Sequence, residues 1–397
     1  MWKRFSEWLR CPLCKGPLEL SIENASATRL SEEHQALAKQ RDVFNDDFAV
    51  FVETAVLLCP SCRAWFPVVK GLPVLLPYAT PAHVQFAREV GAAIPAGYMP
   101  PGGRAAPGER LVMTSFSTEW STYQYDGVIW EMNYEDHEER FLRELGLSSH
   151  RAAGPFLELG SGLGITTLLA QKNFQTDAVG VDLSLAAMRA TAQFRTNPFL
   201  HFVQGSVFCL PFERQSFQLV YSHGVLHHTY STERAFLALA DYCRTGGLLY
   251  VWGYGPGSIA DTFLRRLLYL AERTVRWTLN RSGRWVATPT VGLIAIGYLG
   301  FNRIRHWQNP RLAAYDYARA MHAARDRFTP EYAYRHDSQE VRRWFAAAGY
   351  EDVEVVDWRA MPAVDHDDYR RNTGVRGRRA GRSNITPATP RESAGTG

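Results

Sequence analysis

No uninterrupted apolar stretch of this chain approaches the roughly 18 residues that a membrane span needs. The best candidate, "TVGLIAIGYLGF", is too short and carries three glycines. The N-terminal "MWKRFSEWLRC" has basic residues but no apolar segment behind it, which argues against a secretory signal. Cysteine is scarce, six residues in 397, and four of the six sit in two C-x-x-C pairs. That usage excludes a disulfide scaffold and, with nothing pointing to export, makes a reducing cytoplasm the expected location. A large charge of one sign is also missing. The formal net charge is +4, too small for bulk electrostatics to demand a nucleic-acid partner. No internal repeat is visible.

What remains is a globular composition, 46% hydrophobic and 21% charged, with length for two or three domains. Residues 1–80 hold the two knuckles, "CPLC" and "CPSC", around a polar segment from Glu23 to Asp47 that reads as an inserted helix with loops. They end in "FPVVKGLPVLLP", a strand-turn-strand reading punctuated by Gly71 and Pro73. Residues 81–150 read as a linker rich in Pro, Gly and Ala, then the aromatic "FSTEWSTYQYDGVIWEMNY", either a lid or plain packing. From 151 to 360, short apolar runs alternate with helix-length amphipathic segments, interrupted by an insertion at 257–330. The alternation predicts an α/β domain with a parallel sheet between helices. The remainder, 361–397, includes the acid-free "RRNTGVRGRRAGR" and is expected to be a disordered basic tail.

The central motif is "LELGSGLGITTLLA", a buried strand running into Gly160, Ser161, Gly162 and Gly164 and then a helix. Glycines there allow a sharp turn and close approach of a ligand to the backbone. Strand two ends in "GVDLS", which sets Asp182 at the carboxyl edge of the sheet, where a carboxylate can accept ribose hydroxyls. The loop is G-x-G-x-G rather than G-x-G-x-x-G, and Glu158 precedes it by two residues. An acid in that position repels a pyrophosphate and attracts an ammonium, so the expected cofactor is S-adenosylmethionine rather than NAD.

Here the sequence resembles the class I S-adenosylmethionine-dependent methyltransferases. The resemblance runs through "FLELGSGLG", "VGVDLS", "VQGSVFCLPFERQSFQLVYSHGVLHHT", "RTGGLLYVWGY" and the closing "FAAAGYEDVEVV". It implies a Rossmann-like seven-stranded sheet with helices on both faces. It also implies that Glu158, Gly160, Ser161, Gly162 and Gly164 surround the methionine part, Asp182 and Leu183 flank the ribose and adenine, and Ser206 and Val207 lie beside the adenine. Ser206, Gln218 and Thr245 depart from the residues common at those positions. A base is needed only if the acceptor is a hydroxyl, a protonated amine or an acidic carbon. The candidates are His227 first and then His223, with His228 beside them.

Two C-x-x-C pairs can clamp one tetrahedral zinc. "LRCPLCKGPL" and "LLCPSCRAWFPVVKGLPVLLP" resemble the zinc ribbon of small methyltransferase-activator subunits, which implies structural Zn2+ on Cys11, Cys14, Cys59 and Cys62. Cys209 and Cys243 are expected to be packing residues. The expected acceptor is a small molecule or a lipid-like one. The insertion, with "FLRRLLYLAERTVRWTLNRSGRW", is a core-packed helix, an acceptor-selecting cap, or a peripheral membrane contact over 258–304. Two alternatives stand beside this reading: an RNA methyltransferase gripping rRNA or tRNA through ribbon and tail, and a cofactor-binding scaffold without catalysis.

Overall fold

A computed structural model describes residues 1–122, 132–149, 154–256, 263–308, 310, 314–362 and 365–381. An antiparallel ribbon comes first, built from β1 (Glu19–Ala27), β2 (Val50–Cys59), β3 (Ala64–Val69) and β4 (Leu72–Leu75). Helix α1 (Glu32–Gln40) lies in the excursion between β1 and β2. The polar segment expected as helix and loops is therefore partly strand, since β1 runs on to Ala27. Lys70 and Gly71 turn β3 into β4 with φ of 50° and 81°. Both residues need a left-handed backbone, the signature of a two-residue primed turn. A Cβ at Gly71 would fall 2.5 Å from the Phe51 ring.

Helices α2 (Pro81–Val90), α3 (Glu109–Thr122) and α4 (Tyr134–Leu145) lead into the second unit. The stretch expected as a free linker is packed instead: Phe86 of α2 lies on Trp65 of β3, and Trp65 N donates to Met99 O at 3.0 Å. The alternating part then runs β5 (Phe156–Leu159), α5 (Ile165–Phe174), β6 (Ala178–Asp182), α6 (Ala186–Gln193), β7 (Leu200–Gly205), β8 (Phe217–His223), α7 (Thr232–Ala240) and β9 (Cys243–Gly253). Every residue of β5, β6 and β7 is buried, as strands covered on both faces must be. Three inserted helices follow, α8 (Phe263–Arg281), α9 (Arg284–Gln308) and α10 (Tyr317–Phe328). The closing elements are α11 (Ser338–Ala347), β10 (Tyr350–Val355), α12 (His366–Arg371) and β11 (Thr373–Arg379).

One sheet of 11 strands results, in the order β1-β2-β3-β4-β7-β6-β5-β8-β9-β11-β10. Its last seven strands are the Rossmann-like sheet. The ribbon is not a detached module, because β4 pairs parallel with β7 through Val74–Gln204 and Leu75–Gly205. Side chains add to the joint. Trp2 Nε1 donates to Asn197 O at 2.9 Å and Lys15 Nζ to Leu210 O at 2.8 Å. Buried Asp177 pairs with Arg4, with Arg41 at 3.0 Å and with His201 at 3.0 Å.

The expected disordered tail is corrected by β11. The basic run forms the strand between β9 and β10, antiparallel to both. Val375 is fully buried, and Gly374 and Gly377 let Tyr250 and Phe345 pack against the backbone. The arginines are engaged: Arg376 meets Glu354 at 2.7 Å and donates to the carbonyl of Arg143, while Arg379 donates to those of Ala240 and Cys243. Low apolar content misleads here because a strand slotted into a sheet needs few side chains of its own when its backbone satisfies two neighbours. Residues 382–397 of the expected tail lie outside the described residues.

Candidate active site

The glycine loop leaves β5 at the centre of the sheet. Gly160, Gly162 and Gly164 have φ of 78°, 50° and 80°. A Cβ on Gly160 would stand 2.0 Å from Val225 and one on Gly164 2.6 Å from the Phe202 ring. Gly162 has no contact below 3.5 Å. The loop opens on a cavity of about 440 Å³ at the carboxyl ends of the strands, the crevice where open α/β sheets take their ligands.

Gly160, Gly162, Asp182, Leu183 and Val207 line this cavity, as do His223 and His227. Glu158, Ser161, Gly164 and Ser206 do not. Glu158 is buried and its Oε2 accepts from Thr167 Oγ1 at 2.5 Å. Burial, only partly offset by the Thr167 and Thr166 hydroxyls, pushes its carboxyl up to about 8. Asp182 accepts from Gly162 N at 2.8 Å, Ser184 N at 2.8 Å and Ser184 Oγ at 2.7 Å. A carboxylate has about four acceptor positions. Asp182 therefore ties the loop to β6 and keeps about one acceptor position for a ligand. Ser206 caps its own turn by accepting from Phe208 N at 3.3 Å.

The floor beyond the loop is built by β8 and β9. His223 stacks on Trp252 with centroids 4.3 Å apart and planes 4° from parallel. Its Nδ1 lies 2.9 Å from Oε1 of Glu144, a residue of α4 that the sequence reading missed. Glu144 is completely buried and also accepts from Tyr221 Oη at 2.5 Å, Tyr250 Oη at 2.9 Å and Tyr369 Oη. Burial alone would raise its carboxyl; His223, Arg140 and the Tyr221 hydroxyl outweigh that and hold it near 2. An ionised Glu144 can only accept, so Nδ1 of His223 carries hydrogen and Nε2 is left as the basic nitrogen. Burial and Arg140 lower the His223 pKa more than Glu144 raises it.

His227 is arranged differently. Among the described residues neither buried ring nitrogen has a hydrogen-bond partner, and the ring lies 4.1 Å from those of His228 and Tyr254. Burial, then the neighbouring His228 and His336, keep it neutral. Trp252 Nε1, beside it, also has no partner among the described residues. Buried polar atoms without partners mark a place built for a polar ligand or ordered water.

The walls come from outside the sheet. Met113, Phe116 and Trp120 of α3 line one side, so the described part of the aromatic segment does cover the cavity; 123–131 lie outside the described residues. Arg305 of α9, Tyr315, Asp326 of α10 and Tyr332 line the other. The insertion is thus both a packed helical unit and a wall of the site.

At the far end, Cys11, Cys14, Cys59 and Cys62 bring their Sγ atoms within 4.8 Å of one another. Cys14 and Cys59 Sγ are 3.5 Å apart. Thiolates about 2.3 Å from a tetrahedral zinc stand about 3.8 Å from each other, so the cluster fits that ion. Backbone amides of Gly16 and Cys62 point at Cys14 and Cys59 Sγ, both at 3.4 Å, as at a thiolate. Four thiolates leave no open position for chemistry.

Comparison with known proteins agrees with this geometry. Residues 157–251 match the family model described as a methyltransferase domain, and residues 3–71 match that of a Trm112p-like protein. The chain thus joins a Trm112p-like zinc-ribbon domain to a methyltransferase domain. No curated protein matches the sequence. Among solved structures, a Haemonchus contortus phosphoethanolamine N-methyltransferase 2 with S-adenosyl-L-methionine is 14% identical at a TM-score of 0.42, over 71% of this chain and 61% of that one. The complex of the Haloferax volcanii Trm112 methyltransferase activator with a methyltransferase is 14% identical at 0.40, over 69% and 99%. Geranyl diphosphate C-methyltransferase from Streptomyces coelicolor A3(2), solved with Mg2+, geranyl diphosphate and S-adenosyl-L-homocysteine, is 11% identical at 0.40, over 70% and 100%. This chain spans only 57% and 61% of the two Haemonchus contortus enzymes it matches.

Proposed function

We propose that this protein is an S-adenosylmethionine-dependent methyltransferase of the cytoplasm, acting on a small amphiphilic or lipid-like acceptor by in-line displacement. The observation that carries the reading is that His223, paired with the buried Glu144 behind it, lines the same cavity as the glycine loop. When bound, S-adenosylmethionine supplies a methyl group on a sulfonium, a leaving group already activated. Gly160, Gly162 and Asp182 would hold it, the last by its remaining acceptor position.

His223 takes the proton that the acceptor nucleophile loses, on Nε2. Glu144 fixes the ring by its Nδ1 hydrogen and stabilises the imidazolium that forms, and Trp252 holds the ring plane. His223 therefore precedes His227 as candidate base. His227, with neither nitrogen paired among the described residues, orients the acceptor's polar group. The walls from α3 and the insertion exclude water, which favours a partly apolar acceptor. Against an RNA acceptor stands the basic run: Arg376 and Arg379 are committed to the fold rather than to phosphates.

Methyl-labelled cofactor incubated with the protein and fractionated cell extract tests the reading. Label in an extractable small molecule or lipid supports it, and label in RNA or protein replaces the acceptor class. Absence of cofactor binding below millimolar in calorimetry would overturn the enzyme reading, and binding without transfer to any fraction would leave a cofactor-binding scaffold.

A further inference from the structure

Helices α8 and α9 carry an apolar face that no described residue covers. Trp285, in the first turn of α9, is 94% exposed; Trp307, in its last, is 83% exposed, and Leu293 between them 71%. Ile296, Phe301 and Ile304 continue the same stripe, and Leu267, Leu270 and Trp277 are exposed on α8. The opposite faces are the ones that pack, through Leu279, Val291 and Ala295 against Ala320 and Ala324 of α10. Helix α9 is thus apolar on both its buried and its open side. A surface helix normally turns a polar face outward, and a helix that exposes this many large apolar side chains on one side marks an interaction site.

Charge identifies the occupant. From Phe263 to Gln308 the sequence holds eight arginines and a single acid, Glu272. Glu272 is buried and spent internally, accepting from Arg276 at 2.6 Å and Arg327 at 2.7 Å. The hairpin therefore presents apolar and basic groups with no exposed acid, Arg273, Arg281 and Arg303 among the exposed cations. Tryptophans at both ends of a helix, arginines beside them and leucine, isoleucine and phenylalanine between are what a helix lying in an anionic bilayer interface requires. No described helix is long and apolar enough to cross a membrane, so the fit is to lying on it. The chain's own last residues, 382–397, offer one large apolar side chain, Ile385, too little to cover the stripe.

We propose that the α8–α9 face docks this protein on an anionic lipid surface. Arg305 of the same helix lines the catalytic cavity, so one helix carries both the docking face and a wall of the site, and an amphiphilic acceptor would be drawn from the surface on which it docks. That last step rests on the methyltransferase reading; docking itself does not.

Flotation of the full-length protein with vesicles tests it, comparing phosphatidylcholine alone with a three-to-one mixture of phosphatidylcholine and phosphatidylglycerol. Partitioning at least about tenfold stronger on the anionic vesicles is expected, falling as salt rises. Leu293→Ser with Phe301→Ser should abolish it, and Arg303→Glu should weaken it by about fivefold or more. All three side chains are exposed, so the unfolding temperature and cofactor affinity should stay at wild-type values. Equal binding to both vesicles, no binding, or full binding by the double variant would overturn the proposal. So would a wild-type dimer that the double variant splits in sedimentation, because the face would then be an interface between copies. Vesicle binding without cofactor binding would sink the methyltransferase reading and leave docking intact.

Discussion

His223 reaches Glu144 across 79 residues of chain, its Nδ1 held 2.9 Å from Oε1 of a carboxylate that three tyrosine hydroxyls also address. The pair joins α4, outside the matched methyltransferase segment, to the end of β8.

If His223 is the base, His223→Ala should lower kcat by about 10²–10⁴ while leaving the cofactor Kd unchanged. Glu144→Gln should keep the packing and still lower kcat, because the imidazolium loses its counter-charge. Single-turnover transfer to the labelled acceptor measures both. Wild-type turnover in His223→Ala would move the role to His227.

Replacing Glu144 by Ala is a different experiment. It strips the partner from buried Arg140 and three hydroxyls, so a loss of about 3–5 kcal/mol in urea unfolding is expected. Glu144→Gln should lose less.

The pH profile follows from the same pair. Burial puts the His223 pKa below its usual 6.5, and the neutral ring is the active form. Turnover should therefore stay flat from pH 8 down to about 6.5 and fall only below it. An acid limb above 7 would contradict a neutral, buried base. Stability has its own window. Glu144 titrates near 2 in the folded chain, below the usual carboxyl value. Its contribution is complete above about pH 4.3 and drains away as pH falls toward 2. Acid unfolding of Glu144→Gln should lose that component.

Gly160→Ala should abolish cofactor binding and destabilise the fold, since the added carbon meets Val225 at 2.0 Å in a left-handed backbone. Gly246→Ala is the control. Its φ is also positive, at 72°, but nothing lies within 4 Å, so only about 1–2 kcal/mol of backbone strain is expected. Thermal unfolding and calorimetry separate the two.

Metal analysis should find one zinc per chain. Removing it, or Cys59→Ser, should lower the unfolding temperature and raise amide exchange in β7, because β4 pairs with β7. A chain with no metal and four reactive thiols would refute the site.

Much of this was legible in the residues. The β5 loop, Asp182 and the four cysteines announce themselves by spacing, since local turns and knuckles are set by local sequence. Glu144 did not. Its signal was there, in the buried stripe His137, Arg140, Phe141, Glu144 and Leu145 of α4, which puts three ionisable residues on a core-facing side. A helical period shows that such a face is buried but not which residue 79 positions away will meet it. Strand β11 was misread for a related reason: its identity depends on a vacancy between β9 and β10, which no local composition reveals. The burial of Glu158, which raises its carboxyl, is likewise a property of the fold and not of the motif.

The placement of β11 also governs timing. The chain is made from its N-terminus at about 5–20 residues per second. Strand β9 is complete at Gly253, yet its neighbour in the sheet begins only at Thr373. Until then β9 keeps a hydrogen-bonding edge open, and β10, made earlier than β11, can compete for it. Ribosomes stalled before Thr373 would hold a nascent chain with its glycine loop already synthesised and its sheet still unclosed, a substrate for chaperones rather than for methyl transfer.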